Sequence, residues 1–542
     1  MKRLIYILSM LLLASCYDDK GNYDYKEINV LNVTLDEVYS VRLDKDTIVT
    51  ITPKLSQSLQ DNEENLGYTW LYSTINHNFY GSRDLDTIGR EQSLYFHVDP
   101  NVKNLKYEHY FRVNVYDEIT GIEYPVNTMI KLIKPYDGAW MVLHSKNGQT
   151  ELGSIEYIGE NIVVQEDAYY KESGKRFAGK PLCLGQYTTS CKYYGTGSSW
   201  NMFYVLTDNS KEAGVYCQWK KFEKKDSLSR MVAPMAQTGF DFQNIKMMDG
   251  DGSASALLLS GGGVLYQIPR AGKVYKPKLD LKGDVKITLA SKIINNALVY
   301  DEAGHRFAFY YNTSDGLGVK KYDPLYFSEG EENADLVKAI PIRDGNATGA
   351  DPNKLSPSQK VLYVGTGYQY DQGWSNMYGY ALAKSEDKCF VYEFNPRGFN
   401  SADEKSFNAY YQIDIPKGLG EDVCFASTPP YSGIIFYASG NTVYRLDFKQ
   451  AGGKATVVYT HTGGKVTKMK FARRKAPSEG LYDAYQFDLL RSLGVSFDMG
   501  NGKSDFVILN LSATGSIGAD SESYPATQIY SDFGEIADFV FI

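Results

Sequence analysis

The sequence has 542 residues, 43% hydrophobic and 23% charged, so it is globular and too long for one simple core. A formal net charge of −8 and the lack of a basic aromatic groove argue against nucleic-acid binding. The 45 tyrosines favour strands, and tyrosine is also common on binding surfaces.

The N-terminus has the pattern of a signal peptide. Residues 1–15 have a basic start and then an apolar run, and they end in small residues before Cys16. The run Leu13-Ala14-Ser15-Cys16 resembles a bacterial lipobox, which implies cleavage before Cys16 and lipidation of its thiol. An ordinary signal peptide with a chance cysteine is the alternative. The following Tyr17-Asp18-Asp19-Lys20 resembles the acidic tract that sends lipoproteins to the surface of Bacteroidota-type cells.

After a polar tether at residues 16–27, residues 28–134 contain only short, β-rich runs. Short strands over about 100 residues predict an immunoglobulin-like sandwich, with Trp70 in its core. The Tyr68-Thr69-Trp70 run and the Val113–Asp117 run, followed by a turn at Gly121, resemble PKD domains. This region contains no cysteine pair, so an antibody-type domain is excluded.

From residue 135 to 542 one pattern recurs: a short apolar strand, a loop, and then a hairpin. Glu421–Phe448 is the clearest copy, and its hairpin turns at Gly440-Asn441. Successive antiparallel strands of this kind predict a β-propeller of about seven blades, each of roughly 55–60 residues. Ala139–Tyr157 is a hairpin without a first strand, and Gly534–Ile542 is a first strand without a hairpin. The C-terminal strand is therefore expected to enter the first blade and close the ring.

Taken together, the chain resembles the PKD-like lipoproteins that accompany SusCD-type outer-membrane importers of Bacteroidota. The resemblance implies a lipid-anchored protein of the outer membrane that faces the cell exterior. Its implied partners are a SusC-like TonB-dependent transporter and a SusD-like lipoprotein. It also implies capture of a nutrient, with an oligopeptide favoured over a glycan, and it supplies no catalytic residues.

Two loops, each joining the first strand of a blade to the second, share a G-T-G run, a tryptophan and then Asn-Met-aromatic. All such loops emerge on one face of a propeller. Aromatic rings there could stack on sugars or peptide planes, and Arg473 is expected on the same face. Alternatively, these aromatics plug the ring or pack on the PKD-like domain. The ligand-binding candidates are Tyr194, Trp200, Tyr368, Tyr370, Trp374 and Tyr431.

Catalysis has weaker support, and the chain is expected not to be an enzyme. The six histidines lack metal spacing, and neither a P-loop nor a nucleophile elbow occurs, so no metal or cofactor is expected. Asp249-Gly250-Asp251-Gly252 resembles part of a calcium loop but lacks the later ligands, which favours a turn. A glycosidase or peptidase remains an alternative, as does a structural scaffold for the importer. A bridge between Cys183 and Cys191 is left open.

Overall fold

The structure is a computed structural model. It describes residues 29–542 apart from 61, 76–84, 101, 103–105, 137, 159–160, 191–198, 218–220, 233–239, 250–255, 269–273, 275, 294–295, 312–335, 341–348, 370–376, 396–404, 474–489 and 519–524. The chain forms two compact units, residues 1–133 and 134–542. Cys16 lies outside the described residues.

The N-terminal unit is a β-sandwich with nine strands among its described residues. One sheet has the order β2-β9-β8-β5-β6, and the pairs β1-β4 and β3-β7 complete the unit. The strands are β1 (Leu31–Thr34), β2 (Val38–Arg42), β3 (Thr47–Ile51), β4 (Lys54–Gln57), β5 (Leu66–Ser73), β6 (Asp86–Gly89), β7 (Leu94–Val98), β8 (Glu108–Asp117) and β9 (Ile122–Ile133).

Alternating side chains build the sandwich core. In β8 every second residue is buried, including Phe111, Val113 and Val115. Trp70 of β5 is fully buried and donates its indole N–H to the Glu91 carbonyl at 3.0 Å, which confirms the predicted core tryptophan. The motif residues Trp70, Val113 and Val115 are therefore packing residues of the sandwich.

The second unit contains 27 described strands and two short helices. Within the described residues, no helix is long and apolar enough to cross a membrane. The helices are α1 (Ala168–Ser173) and α2 (Leu228–Met231). The strands are β10 (Ala139–Lys146), β11 (Gln149–Ile158), β12 (Asn161–Gln165), β13 (Pro181–Ser190), β14 (Ser199–Thr207), β15 (Gly214–Cys217), β16 (Glu223–Ser227), β17 (Ile245–Asp249), β18 (Ala256–Ser260), β19 (Leu265–Ile268), β20 (Lys278–Asp280), β21 (Ile287–Ile293), β22 (Asn296–Asp301), β23 (Arg306–Tyr311), β24 (Leu336–Ala339), β25 (Lys360–Gln369), β26 (Met377–Lys384), β27 (Lys388–Phe394), β28 (Phe407–Asp414), β29 (Val423–Ala426), β30 (Ile434–Ser439), β31 (Thr442–Asp447), β32 (Lys454–Thr460), β33 (Lys465–Phe471), β34 (Ser492–Gly500), β35 (Lys503–Asn510) and β36 (Thr527–Phe541).

These strands form seven antiparallel blades in chain order. Blade 2 is β13 to β16, blade 5 is β25 to β28 and blade 6 is β29 to β32. Blade 3 has β17 to β19 among the described residues, and blade 4 has β21 to β24 with β20 added in parallel to β24. Blade 1 contains β10 to β12, and blade 7 contains β33 to β35.

Strand β36 belongs to two blades. Its first half pairs with β35, where Thr527 lies opposite Leu509 and Gly534 opposite Lys503. Its second half pairs with β10, where Phe541 lies opposite Trp140. The predicted closure of the ring by the C-terminal strand is thus confirmed, and the strand starts seven residues earlier than expected.

Apolar packing closes the same ring. Seven clusters of buried apolar side chains each join one blade to the next, including one between blades 7 and 1 around Trp140, Phe506 and Phe539. An all-β chain with a PKD-like sandwich and a seven-bladed propeller is therefore the observed fold. The outer strands β12, β16, β24 and β28 and both helices were not predicted.

Candidate functional site

Polar side chains of five blades meet where the first strands end. Asp249 is the last residue of β17, Thr366 lies near the end of β25, and Arg473 follows β33 by two residues. Ser291 lies in β21, and Ser427 follows β29. Because the first strands of a propeller run in the same direction, their ends share one face of the ring. We call Asp249, Ser291, Lys292, Tyr363, Thr366, Ser427 and Arg473 the mouth network.

Arg473 links three blades. One terminal nitrogen, Nη1, lies 3.3 Å from Asp249 Oδ1 of blade 3, and Nη2 donates a hydrogen bond to Thr366 Oγ1 of blade 5. Blade 7 is adjacent to neither, so the guanidinium reaches across the centre of the ring. Its side chain is 23% exposed and that of Asp249 is 21% exposed, so both remain accessible to solvent. A planar guanidinium with several donors suits recognition of a carboxylate.

The Asp249 carboxylate is fixed by blade 4 as well. Oδ2 accepts the backbone N–H of Lys292 at 2.8 Å and faces Ser291 Oγ at 3.5 Å. These donors, together with the Arg473 guanidinium, hold the Asp249 carboxylate in place.

Blades 5 and 6 are joined through hydroxyl groups. Ser427 Oγ donates to the Thr366 carbonyl, and it lies 2.8 Å from the Tyr363 hydroxyl. Burial raises the pKa of Tyr363 to about 12, so its hydroxyl stays protonated. Tyr363 therefore serves as a neutral hydrogen-bonding group.

Two of the predicted aromatic residues lie in strands. Trp200 is in β14 opposite Thr189, and Tyr368 is in β25, because both hairpins extend further than the sequence indicated. The expectation that these residues lie in loops was wrong, and their side chains are outside the described part of the structure. Tyr194, Tyr370 and Trp374 also lie outside it.

Tyr431 is not an exposed ligand-stacking ring. It is only 2% exposed and packs with Phe436 and Phe471 between blades 6 and 7. Its hydroxyl donates to the Ser512 carbonyl at 2.7 Å, so the polar end of the ring is satisfied inside the protein. The structure corrects the prediction for this residue to a packing role.

The G-T-G run of β25 was a useful signal for a different reason from the one expected. A Cβ at Gly365 would collide with the Tyr363 hydroxyl, and one at Gly367 would collide with the Tyr380 ring. The glycines thus make room for tyrosines while Thr366 between them binds Arg473. Arg473 was predicted on this face, whereas the roles of Thr366, Ser427 and Ser291 were missed.

The described histidines near hairpin turns have structural partners. His144 is fully buried, its Nε2 lies 2.9 Å from the Glu166 carbonyl, and Nδ1 accepts the Gly534 N–H. Burial lowers the pKa of His144, so the ring is neutral. His305 contacts the Tyr300 hydroxyl and the Ser356 carbonyl. Cys183 is a free, buried thiol, and Cys191 lies outside the described residues.

Comparisons with known proteins agree with part of the sequence interpretation. The model of the PKD-like family matches residues 16–181, which include the sandwich and the start of the second unit. No curated protein matches the sequence.

Several solved structures share low similarity with the chain. A quinoprotein alcohol dehydrogenase-like protein from Bacteroides thetaiotaomicron is 13% identical, with 94% of this chain and 99% of that chain covered and a TM-score of 0.40. Apo AztD from Citrobacter koseri is 10% identical, covering 88% and 98%, with a TM-score of 0.32. A Bacteroides thetaiotaomicron protein of unknown function is 9% identical, covering 94% and 99%, with a TM-score of 0.28. At these values the similarities say nothing about ligand or activity.

Proposed function

We propose that this protein is a lipid-anchored surface protein that captures oligopeptides at the mouth network. In this proposal it is an accessory of a SusCD-type outer-membrane importer and not an enzyme. The observation that carries the proposal is the partly exposed Arg473–Asp249 pair, which lies between non-adjacent blades.

The chemistry of this pair suits a peptide. A peptide carries both a carboxylate and an ammonium group. In the pair, the Arg473 cation matches the carboxylate and the Asp249 anion matches the ammonium group. Arg473 and Asp249 are anchored by Thr366 and by the Lys292 N–H, so they are partly preorganised before a ligand arrives. A neutral glycan could use the same hydrogen-bonding groups but would gain nothing from the charges.

The residue types in the mouth network favour binding over hydrolysis. Asp249 is the one carboxylate among its seven residues, and both of its oxygens already face donors. Glycoside hydrolysis by the usual route needs two carboxyl groups. Tyr363, whose pKa is raised, is a poor base near neutral pH.

Support for surface anchoring comes from the N-terminus. The lipobox-like run ends at Cys16, and the match to the PKD-like family begins at the same residue. We propose lipidation at Cys16, an outer-membrane location, and SusC-like and SusD-like partners. Replacing Cys16 by Ala should move the protein from the membrane fraction to the soluble fraction, because acyl chains supply the attachment. An unchanged distribution contradicts the anchor.

The capture proposal is tested by titrating the purified protein with a defined pool of oligopeptides and, separately, with neutral oligosaccharides. Arg473→Gln should weaken peptide binding by about 1.5–3 kcal/mol, the usual value of a hydrogen bond to a charged group. The matched control is Lys286→Gln, which breaks an exposed ion pair with Glu302 at a distant hairpin and should leave affinity unchanged.

The outcomes separate the alternatives. Peptide binding that is lost only in Arg473→Gln supports the proposal, and saccharide binding instead favours the glycan alternative. Cleaved peptides in mass spectra would indicate a hydrolase. Recovery of the importer proteins with no bound ligand and no affinity for peptide favours a scaffold.

Trp200 and Trp374 remain proposed ligand contacts. Replacing either by Ala should weaken binding by about 1–3 kcal/mol without lowering the melting temperature. A normal affinity with a collapsed melting temperature would mean that the ring is a packing residue, whose loss costs about 3–5 kcal/mol of stability.

A further inference from the structure

The first strand of blade 7 carries two lysines that meet one buried carboxylate. Lys468 and Lys470 lie two residues apart in β33, and both point toward Asp538 in the blade 1 half of β36. Their neighbours Met469 and Phe471 face the opposite way into the apolar cluster between blades 6 and 7. Strand alternation therefore places the two ammonium groups together on the side of blade 1.

The contacts are close. Lys470 Nζ lies 2.6 Å from Asp538 Oδ1 and 2.8 Å from Oδ2, and Lys468 Nζ lies 3.2 Å from Oδ1. Lys468 also donates to the Ala537 carbonyl at 2.8 Å, and Asp538 Oδ2 accepts the Leu184 N–H of blade 2 at 2.8 Å. The cluster thus joins blades 7, 1 and 2.

The charges of this cluster do not balance. Asp538 contributes one negative charge, and its side chain is 1% exposed, whereas the lysines contribute two positive charges. Among the residues that the structure describes, Asp538 is the carboxylate that pairs with either ammonium group. A partly desolvated excess charge is costly unless a counter-ion is present.

The excess charge is accessible to a ligand. The side chains of Lys468 and Lys470 are 31% and 32% exposed, and the first strands of a propeller line its central channel. Their exposed part therefore faces that channel. Because Asp538 cannot be reached from solvent, an entering anion would contact the lysines.

We propose that the channel wall formed by Lys468 and Lys470 binds a small carboxylate monoanion. One such ion brings the cluster to neutrality, whereas a doubly charged phosphate leaves it negative. Ammonium-to-carboxylate hydrogen bonds are among the stronger ones in proteins. The inference does not depend on peptide capture at the mouth network, and its test needs no peptide.

The probes are acetate and inorganic phosphate, each compared with chloride at equal ionic strength and pH 8, where most inorganic phosphate is doubly charged. Binding to the intact protein is measured by calorimetric titration and by the shift in melting temperature. Lys468→Gln and Lys470→Gln each remove the excess charge and still leave Asp538 one lysine. Each should weaken acetate binding at least tenfold. Asp538→Asn, which raises the excess to two charges, should strengthen anion binding and shift the preference toward phosphate.

The matched control is Lys465→Gln in the same strand. Lys465 pairs with the exposed Asp422 at 2.6 Å, so this variant has the same change of charge away from Asp538. It should bind acetate like the unaltered protein. The inference is overturned if acetate gives no more effect than chloride. It is also overturned if all three lysine variants lose affinity equally, which would indicate a diffuse effect of net charge, or if phosphate binds more tightly than acetate.

Discussion

At the residue scale, the abundance of tyrosine reflects its role in core packing more than a role on a binding surface. Nine of the eleven largest fully buried side chains among the described residues are tyrosines. Several of these have a hydroxyl bonded inside the protein, as in Tyr437 with the Lys417 carbonyl and Tyr392 with Gln359. The tyrosine ring fills the core, and its hydroxyl satisfies a buried acceptor. These two properties explain why the sequence can carry 45 tyrosines.

Tyr431 provides a test of this packing role. Tyr431→Ala should lower the free energy of unfolding by about 3–5 kcal/mol, because it leaves a cavity between blades 6 and 7. Tyr431→Phe removes the hydrogen bond to the Ser512 carbonyl and should cost about 0.5–1.5 kcal/mol. Denaturant unfolding measures both. Tyr170→Ala at an exposed position is the control, and an equal loss for Tyr170 and Tyr431 would contradict the assignment.

Asp117 makes the stability of the sandwich depend on pH. It is fully buried, and burial alone would raise its pKa. Hydrogen bonds from Asn65, Thr120, Asn29 and the Ile119 N–H outweigh this and lower the pKa of Asp117 to about 2. The contribution of ionised Asp117 to the stability of the folded sandwich is therefore complete above the ordinary carboxyl pKa of about 4. This contribution is lost as pH falls toward about 2.

The corresponding variant is Asp117→Ala, which leaves buried donors unpaired. It should destabilise the sandwich by about 1–3 kcal/mol at pH 7, and the difference from the unaltered protein should shrink between about pH 4 and pH 2. Melting curves at several pH values measure this. Asp46→Ala, which loses an exposed partner of His97, should change stability by less than about 0.5 kcal/mol. A difference that stays constant with pH would show that Asp117 is not the titrating group.

At the scale of elements, the inner strands were predictable and most outer strands were not. Runs such as Ile434–Ser439 are buried on both faces, so their continuous apolar pattern is clear in the sequence. Outer strands such as β28 (Phe407–Asp414) and β16 (Glu223–Ser227) are partly exposed, and a polar run like Glu-Lys-Lys-Asp-Ser carries no strand signal. Their formation depends on an existing strand edge.

The mouth network was predictable only in part. Arg473 could be placed on the correct face from the order of strands and loops. Its partners Asp249 and Thr366 lie about 224 and 107 residues away in sequence, and no local pattern indicates such a contact. Tyr431 was misassigned because a Pro-Pro-Tyr turn has the same composition whether its ring points to solvent or to a core.

A substitution at Gly534 tests how tightly β36 packs between β35 and β10. A Cβ at this position would collide with the Ser145 carbonyl of β10, so alanine would have to displace backbone. Gly534→Ala should therefore cost about 1–3 kcal/mol, observed as a lower melting temperature. Gly262→Ala is the matched control, since its nearest neighbour is the Ser260 hydroxyl at 3.9 Å. Unchanged melting of Gly534→Ala would contradict the close packing at this junction.

At the scale of the whole molecule, each unit has its own hydrophobic core. Trp70, Phe111 and Val113 belong to the sandwich cluster, and none of its members comes from the second unit. Residues 29–133 produced alone should therefore unfold cooperatively, and Trp70→Ala in that fragment should cost about 3–5 kcal/mol. Exposed Tyr95→Ala is the control. A fragment without a cooperative transition would show that the sandwich core is insufficient by itself.

The sharing of β36 between two blades also has a consequence for biosynthesis. The hydrogen bond from Gly534 to His144 spans 390 residues, so the first blade is made long before the strand that completes it. At about 5–20 residues per second, the edge of β10 waits roughly 20–80 s for its partner during translation. An unpaired edge strand over that time invites pairing with another chain. The ring can therefore close only after synthesis has passed residue 541.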